Sequence, residues 1–167
     1  MHHEVDIDYK VDVVTVSTSR FKKYGKVEGR QAVEDDESGR ILIETFGDKF
    51  NKYYLIPDDI QEIRKTVIGS DADVIVVTGG TGLNPRDVTI EALEDLFTKR
   101  IDGFGEVFRM ESFKQIGYHV VLSRATAGII GNRVVFCLPG SKNAVQVGVK
   151  IIKEVIKHIL THVKGLK

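Results

Sequence analysis

The run Val74-Ile75-Val76-Val77 has no polar side to turn to water, so it reads as a strand buried on both faces within a parallel sheet. It passes directly into Thr78-Gly79-Gly80-Thr81-Gly82-Leu83-Asn84-Pro85-Arg86-Asp87-Val88-Thr89. The segment Ile90-Glu91-Ala92-Leu93-Glu94-Asp95-Leu96-Phe97 then reads as a helix. Three glycines in four positions after a buried strand let the backbone approach something closely. Thr81, Arg86 and Asp87 bring a hydroxyl, a cation and a carboxylate to the same turn.

The pattern around this unit is an alternation of strands and helices. Val11 to Val16 form a first strand running into Ser17-Thr18-Ser19-Arg20, and residues 21–35, rich in Lys, Gly and Glu, read as an exposed loop. A helix carrying Ile41, Leu42, Ile43 and Phe46 begins at the Asp36-Glu37-Ser38-Gly39 turn. Tyr53 to Ile56 form a second strand, and Ile60, Ile63 and Val67 mark one face of a helix. The strand at 74–78 and a helix at 89–98 follow. Residues 103–117 look like a broken helix, and Ala127 to Leu138, with Gly131-Asn132 in the middle, read as a hairpin. Val145, Val149, Ile152, Ile156, Ile159 and Val163 share a face of a last helix. The expected fold is a three-layer α/β/α domain over residues 10–167 with a mostly parallel mixed sheet. One strand of the hairpin is expected to run antiparallel, and residues 1–9 to form a loosely held leader.

The three prolines all stand where a strand hands over to a helix. Pro57 follows Leu55-Ile56, Pro85 lies in the glycine-rich turn, and Pro139 begins Pro139-Gly140-Ser141. Ligands of open α/β sheets bind at such carboxyl ends of strands, so three rigid turns on one edge point to a shaped cleft.

Bulk properties narrow the partners. Twenty-four basic residues balance twenty-four acidic ones, which removes any global field for nucleic acid or an acidic membrane. No apolar run approaches a membrane span, and the amino-terminal residues lack a signal-peptide core. The single cysteine, Cys137, sits in an apolar run and reads as a small buried hydrophobe; one cysteine fits a reducing, cytoplasmic setting.

The glycine-rich turn matches neither a Walker loop nor the dinucleotide fingerprint, yet exposed N–H groups before a helix attract phosphate in the same way. The alternative is a tight turn in which Thr81 and Thr89 satisfy the backbone. Ser141 reads as an N-cap, with Gly140 leaving room for a ligand over free donors. Asp59, three residues before Glu62, resembles a capping box, which leaves Asp58 free to face the cleft. Asp87 faces the same cleft or only caps a helix. Each carboxylate 4 Å from a phosphate costs about 4 kcal/mol at an effective dielectric of 20, so the pair needs a bridging cation such as Mg2+. Asp36 reads equally as a turn residue or a site residue. Glu154, His158 and His162 have ligand spacing but lie off the apolar stripe, as a solvated face or a subunit contact would. An arginine in Ser123-Arg124 either reaches a phosphate or sits on a surface turn.

Taken in order, Asp36-Glu37-Ser38-Gly39, Ile56-Pro57-Asp58-Asp59, Thr78 to Thr89, Gly103-Phe104-Gly105-Glu106, Leu122-Ser123-Arg124-Ala125 and Leu138-Pro139-Gly140-Ser141 resemble the MoaB/MogA family of molybdenum-cofactor synthesis, with wording closer to MoaB. The resemblance covers about residues 10–160. It implies a homotrimer or homohexamer that uses ATP and Mg2+ to adenylylate molybdopterin with release of pyrophosphate. It also implies that Asp58 and Asp87 are the catalytic and Mg2+-holding carboxylates. Thr78, Gly79, Gly80, Thr81, Gly82 and Arg86 would serve the pterin phosphate, and Pro139, Gly140 and Ser141 the nucleotide, with Ser17, Asp36, Ser38 and Gly39 as further binding positions. Ile90 departs from the proline usual in the family after Asp-Val-Thr. A non-catalytic molybdopterin-binding or assembly protein of the same pathway is the alternative. The CinA-like relatives of the fold read Gly-Gly-Leu-Gly-Pro-Thr and then Asp-Asp, where Thr81 and Arg86-Asp87 stand here.

Overall fold

The computed structural model describes residues 6–167. Its strands are β1 (Val11–Val16), β2 (Val27–Gly29), β3 (Phe50–Ile56), β4 (Val74–Thr78), β5 (Lys99–Arg100), β6 (Thr126–Ile130) and β7 (Arg133–Leu138). They form one sheet in the order β2-β3-β1-β4-β7-β6-β5. The four central strands β3, β1, β4 and β7 run parallel. Their residues alternate between two cores, as the two-residue side-chain period requires. Val11, Val13, Val74, Val76 and Phe136 enter one core, while Val14, Val16, Ile75, Val77 and Cys137 enter the other.

Among the described residues six helices cover these faces: α1 (Thr18–Tyr24), α2 (Glu37–Phe46), α3 (Ile60–Gly69), α4 (Thr89–Leu93), α5 (Asp102–Ile116) and α6 (Lys142–Val163). Leu42, Phe108 and Ile152 place α2, α5 and α6 on the first core; Ile63 and Leu93 place α3 and α4 on the second. The three-layer α/β/α expectation holds. No helix among the described residues is long and apolar enough to cross a membrane.

Several expectations need correction. Residues 21–35 are not simply a loop: Ser17 accepts the Arg20 amide and caps α1, and β2 pairs antiparallel with β3 through Val27 and Leu55. These elements are too short and too charged to leave a periodic signature. With β6, that gives two strands running against the central four, where one was expected. The helix expected at 89–98 stops at Leu93; a 3-10 turn over Glu94–Leu96 then lets Lys99–Arg100 pair with β6. Residues 103–117 form no broken helix. Its glycines do not interrupt α5, and a Cβ on Gly105 would lie 2.6 Å from the Ala125 carbonyl oxygen. On α6, Leu160 is fully buried, while Ile159 and Val163 are only partly so.

Residues 1–5 of the expected leader lie outside the described residues. Ile7 packs against the first core, and Tyr9 is buried in it.

Candidate functional site

Register aligns the carboxyl ends of the central strands. Val16 lies opposite Ile56, Thr15 opposite Thr78, and Thr78 opposite Leu138. Ser17, Pro57-Asp58, Gly79 and Pro139 therefore leave the sheet at one edge. From β1 the chain crosses toward β3 and from β4 toward β7, so this edge is also where the strand order reverses, the usual crevice of an open α/β sheet.

The glycine turn is held by its carbonyl oxygens. The Thr89 hydroxyl donates to Gly79 O at 2.8 Å and the Thr89 amide to Gly80 O at 2.9 Å. Arg124 Nε donates to Thr81 O at 2.9 Å, and Arg124 Nη2 to Gly82 O at 2.7 Å. Across the cleft, Thr78 Oγ1 donates to Pro139 O at 3.2 Å and Ser38 Oγ to Gly140 O at 2.8 Å. In a trans peptide the N–H points opposite to the C=O. The amides of Gly80, Thr81, Gly82, Leu83, Gly140 and Ser141 are thus turned away from these anchors, and none donates to a protein acceptor among the described residues. Such convergent free donors form a nest for an anion. Ser141 accepts the Ala144 amide as N-cap of the 22-residue α6, which adds the positive end of a long helix.

Close approach explains the glycines. A Cβ on Gly79 would lie 2.4 Å from Val16 O, and one on Gly80 2.4 Å from Thr89 Oγ1 and 3.0 Å from Asp58 Oδ1. Both have positive φ, 95° and 69°.

Both turns line one cavity of about 440 Å³, walled by Phe108, Ile116, Leu122 and Val147, with Gln115, His119 and Asn143 as polar groups. A second cavity of about 390 Å³ is lined by Ser17, Thr18, Asp58, Gly80, Arg86 and Asp87. Gly80 and Asp87 border both, so the two spaces adjoin.

Asp58 is held by Thr18, whose hydroxyl and amide donate to Asp58 Oδ2 at 2.7 and 3.1 Å. Oδ1 stays toward Gly80. Asp59, not Asp58, caps α3 by accepting the Glu62 amide at 2.9 Å, which matches the expected division of labour. Asp87 is not a cap: Val88 occupies that position, and among the described residues Asp87 Oδ2 accepts only the Asn84 amide, at 3.3 Å. Arg86 is exposed and makes no ion pair among the described residues. No group of three or more His, Cys, Asp or Glu able to hold a metal occurs among them. Two hard carboxylates lining one open cavity fit Mg2+, which keeps its waters and takes one or two carboxylates plus substrate oxygens.

Asp36 is not brought into the cavity. It is buried, and accepts from Thr15 Oγ1 at 2.7 Å, Tyr53 OH at 2.6 Å and the Gly39 amide at 2.9 Å. Burial, reinforced by the bond to Asp36, raises the Tyr53 phenol above its ordinary range. Gly39 leaves room for that carboxylate, since its Cβ would stand 2.4 Å from Asp36 Oδ2. Ser38 acts from behind, on the Gly140 carbonyl. Cys137 is fully buried, and burial pushes its thiol up to about 12.

Arg124 is neither a phosphate arm nor an idle surface residue; it is spent on the glycine turn and on Glu91. Its hydrogen bond holds the Glu91 carboxyl below the usual carboxylate range. Thr18, Gln115, His119 and Asn143 also line the two cavities without belonging to any of the sequence motifs. Only Thr18 carried a signal, as a hydroxyl residue just past the end of a buried strand.

A family described as the probable molybdopterin binding domain matches residues 12–158. The molybdopterin adenylyltransferase of Pyrococcus furiosus is 43% identical over 165 residues, covering 93% of this chain and 92% of that protein. The probable molybdopterin adenylyltransferase of Methanocaldococcus jannaschii is 40% identical over 168 residues, covering 98% and 99%. A crystal structure of the tungsten cofactor synthesizing protein MoaB from Pyrococcus furiosus superposes with a TM-score of 0.80 at 42% identity, over 95% of this chain and 99% of that one. The chain belongs to the MoaB/MogA family of molybdenum-cofactor biosynthesis proteins.

Proposed function

We propose that this protein adenylylates molybdopterin with ATP, releasing pyrophosphate, as a step of molybdenum-cofactor biosynthesis. One observation carries the reading: five free backbone amides, of Gly80, Thr81, Gly82, Gly140 and Ser141 on two facing turns, border one cavity, and two carboxylates stand beside it.

The reaction joins a phosphate oxygen of molybdopterin to the α-phosphorus of ATP and breaks the bond from that phosphorus to the bridging oxygen, which leaves with pyrophosphate. A phosphate monoester has a second pKa of about 6, so the nucleophile is already largely ionised at neutral pH and needs no general base. The protein's task is alignment and charge neutralisation. In this reading the amides of Gly80, Thr81 and Gly82, with Thr78 and Gly79 fixing the turn and Arg86 at its rim, take the pterin phosphate. Those of Gly140 and Ser141, after Pro139, take the nucleotide. Phe108, Ile116 and Val147 offer an apolar wall to a planar ring. Asp58, with Ser17 and Thr18 at its side, and Asp87 would hold Mg2+, which when bound supplies counter-charge to the phosphates. Both carboxylates act as positioners rather than as acid or base, and Asp36, Ser38 and Gly39 support the Gly140 turn from behind.

A homotrimer or homohexamer fits the surface. Met110, Phe113, Tyr118 and Val121 leave a band of exposed apolar side chains on α5 and the 3-10 turn after it.

Asp58→Asn and Asp87→Asn test the assignment. Each is expected to lower pyrophosphate release about 10²-fold while molybdopterin still binds. Undiminished turnover in both variants would remove the carboxylates from the mechanism.

A further inference from the structure

We propose that Arg124 is a positioning residue: it aims the amide of Gly82 into the site, and fixes that of Leu83 beside it, by drawing their peptide carbonyls outward. Nε and Nη2 donate to Thr81 O and Gly82 O, while Nη1 and Nη2 both pair with the Glu91 carboxylate, Nη2 at 3.1 Å. Four of the five guanidinium donors are thereby used, so Arg124 has little left to offer a substrate phosphate.

Its own placement is built in turn. Arg109 Nη1 donates to Ser123 O at 3.4 Å and Ala125 O at 3.0 Å, gripping the backbone on both sides of Arg124. Gly105 makes that grip possible, because a Cβ there would fall 2.7 Å from Arg109 Nη2. Glu91 lies two residues beyond Thr89 on α4, and Thr89 clips the inner half of the same turn. The turn is thus held at its inner end by a threonine and at its outer end by an arginine, both referred to one helix. The Gly103–Glu106 and Ser123–Ala125 segments gain a physical purpose as the two layers behind the outer clip.

A lysine cannot reproduce this. One ammonium does not span two carbonyls while meeting a carboxylate with two parallel bonds.

The test has two arms, and only the second rests on the adenylylation reading. Amide 15N relaxation is measured on the wild type, Arg124→Ala, Arg124→Lys and Glu91→Gln. Order parameters at Thr81, Gly82 and Leu83 are expected to fall from about 0.85 toward 0.6 in both Arg124 variants, and less in Glu91→Gln, with the other strand ends unchanged. Unchanged amides overturn the proposal. In kinetics, KM for molybdopterin is expected to rise about tenfold in Arg124→Lys while KM for ATP stays within about twofold. A fall in kcat with neither KM moved would make Arg124 a merely structural residue and overturn its positioning role. If the wild type binds molybdopterin without releasing pyrophosphate, the adenylylation reading fails alone. The same selectivity is then read as a tenfold rise in the molybdopterin Kd by calorimetry, and no rise overturns the proposal.

Discussion

Thr18 and Asp58 grip each other from neighbouring strand ends: the Thr18 hydroxyl donates to Asp58 Oδ2 at 2.7 Å and accepts the Asp58 amide at 3.0 Å. One oxygen of the carboxylate is fixed by the protein, and the other is left facing Gly80. Thr18→Val keeps the shape and removes both bonds. It is expected to cost about 1–3 kcal/mol in urea unfolding and to raise the Mg2+ concentration for half-maximal activity, whereas Thr18→Ser retains both properties. Equal Mg2+ dependence in Thr18→Val and the wild type would detach this pair from the metal.

Gly80→Ala places a methyl against Thr89 Oγ1 and Asp58 Oδ1 at a backbone φ of 69°. The conformation alone costs about 1 kcal/mol for a residue with a Cβ. Displacement of Asp58 and of the turn is expected to remove most pyrophosphate release in a protein that still unfolds cooperatively. Thermal unfolding beside the activity assay separates the two effects.

Ser38→Ala leaves the Gly140 carbonyl without its 2.8 Å donor. A loss of about 1 kcal/mol in stability is expected. Steady-state kinetics should show KM for ATP rising more than KM for molybdopterin.

Cys137 should resist thiol reagents in the native protein at neutral pH and react only on unfolding, which absorbance titration with a disulfide reagent reads directly. Its folded value of about 12 lies above the ordinary 9.0. Its contribution to stability is therefore full below about pH 9 and is lost as pH rises through about 12; Tyr53, also raised by burial, acts with the same sign. Urea midpoints are expected to hold level from neutral pH to about 9 and then decline.

Much of the frame was legible in the sequence because the central strands are largely apolar and three of the four, β3, β4 and β7, end in glycine or proline turns. Val74 to Val77 could only be a doubly covered strand, and the three strand-end prolines marked the edge that holds the cleft. What escaped depends on long-range contacts. β2 and β5 have three and two residues and acquire their form only by pairing with β3 and β6. Asp36 has the spacing of a site residue, yet Tyr53, remote in sequence, claims its carboxylate. Arg124 meets the glycine turn 42 and 43 residues away. A local pattern cannot distinguish an arginine aimed at a phosphate from one aimed at the backbone that binds it.

Pyrophosphate release by the purified wild-type protein, measured with ATP, Mg2+ and molybdopterin and with each omitted in turn, bears most directly on the proposed activity. Stoichiometric release that requires all three and yields adenylylated molybdopterin is expected. Binding of molybdopterin without any pyrophosphate would contradict it and leave a non-catalytic pterin carrier in its place.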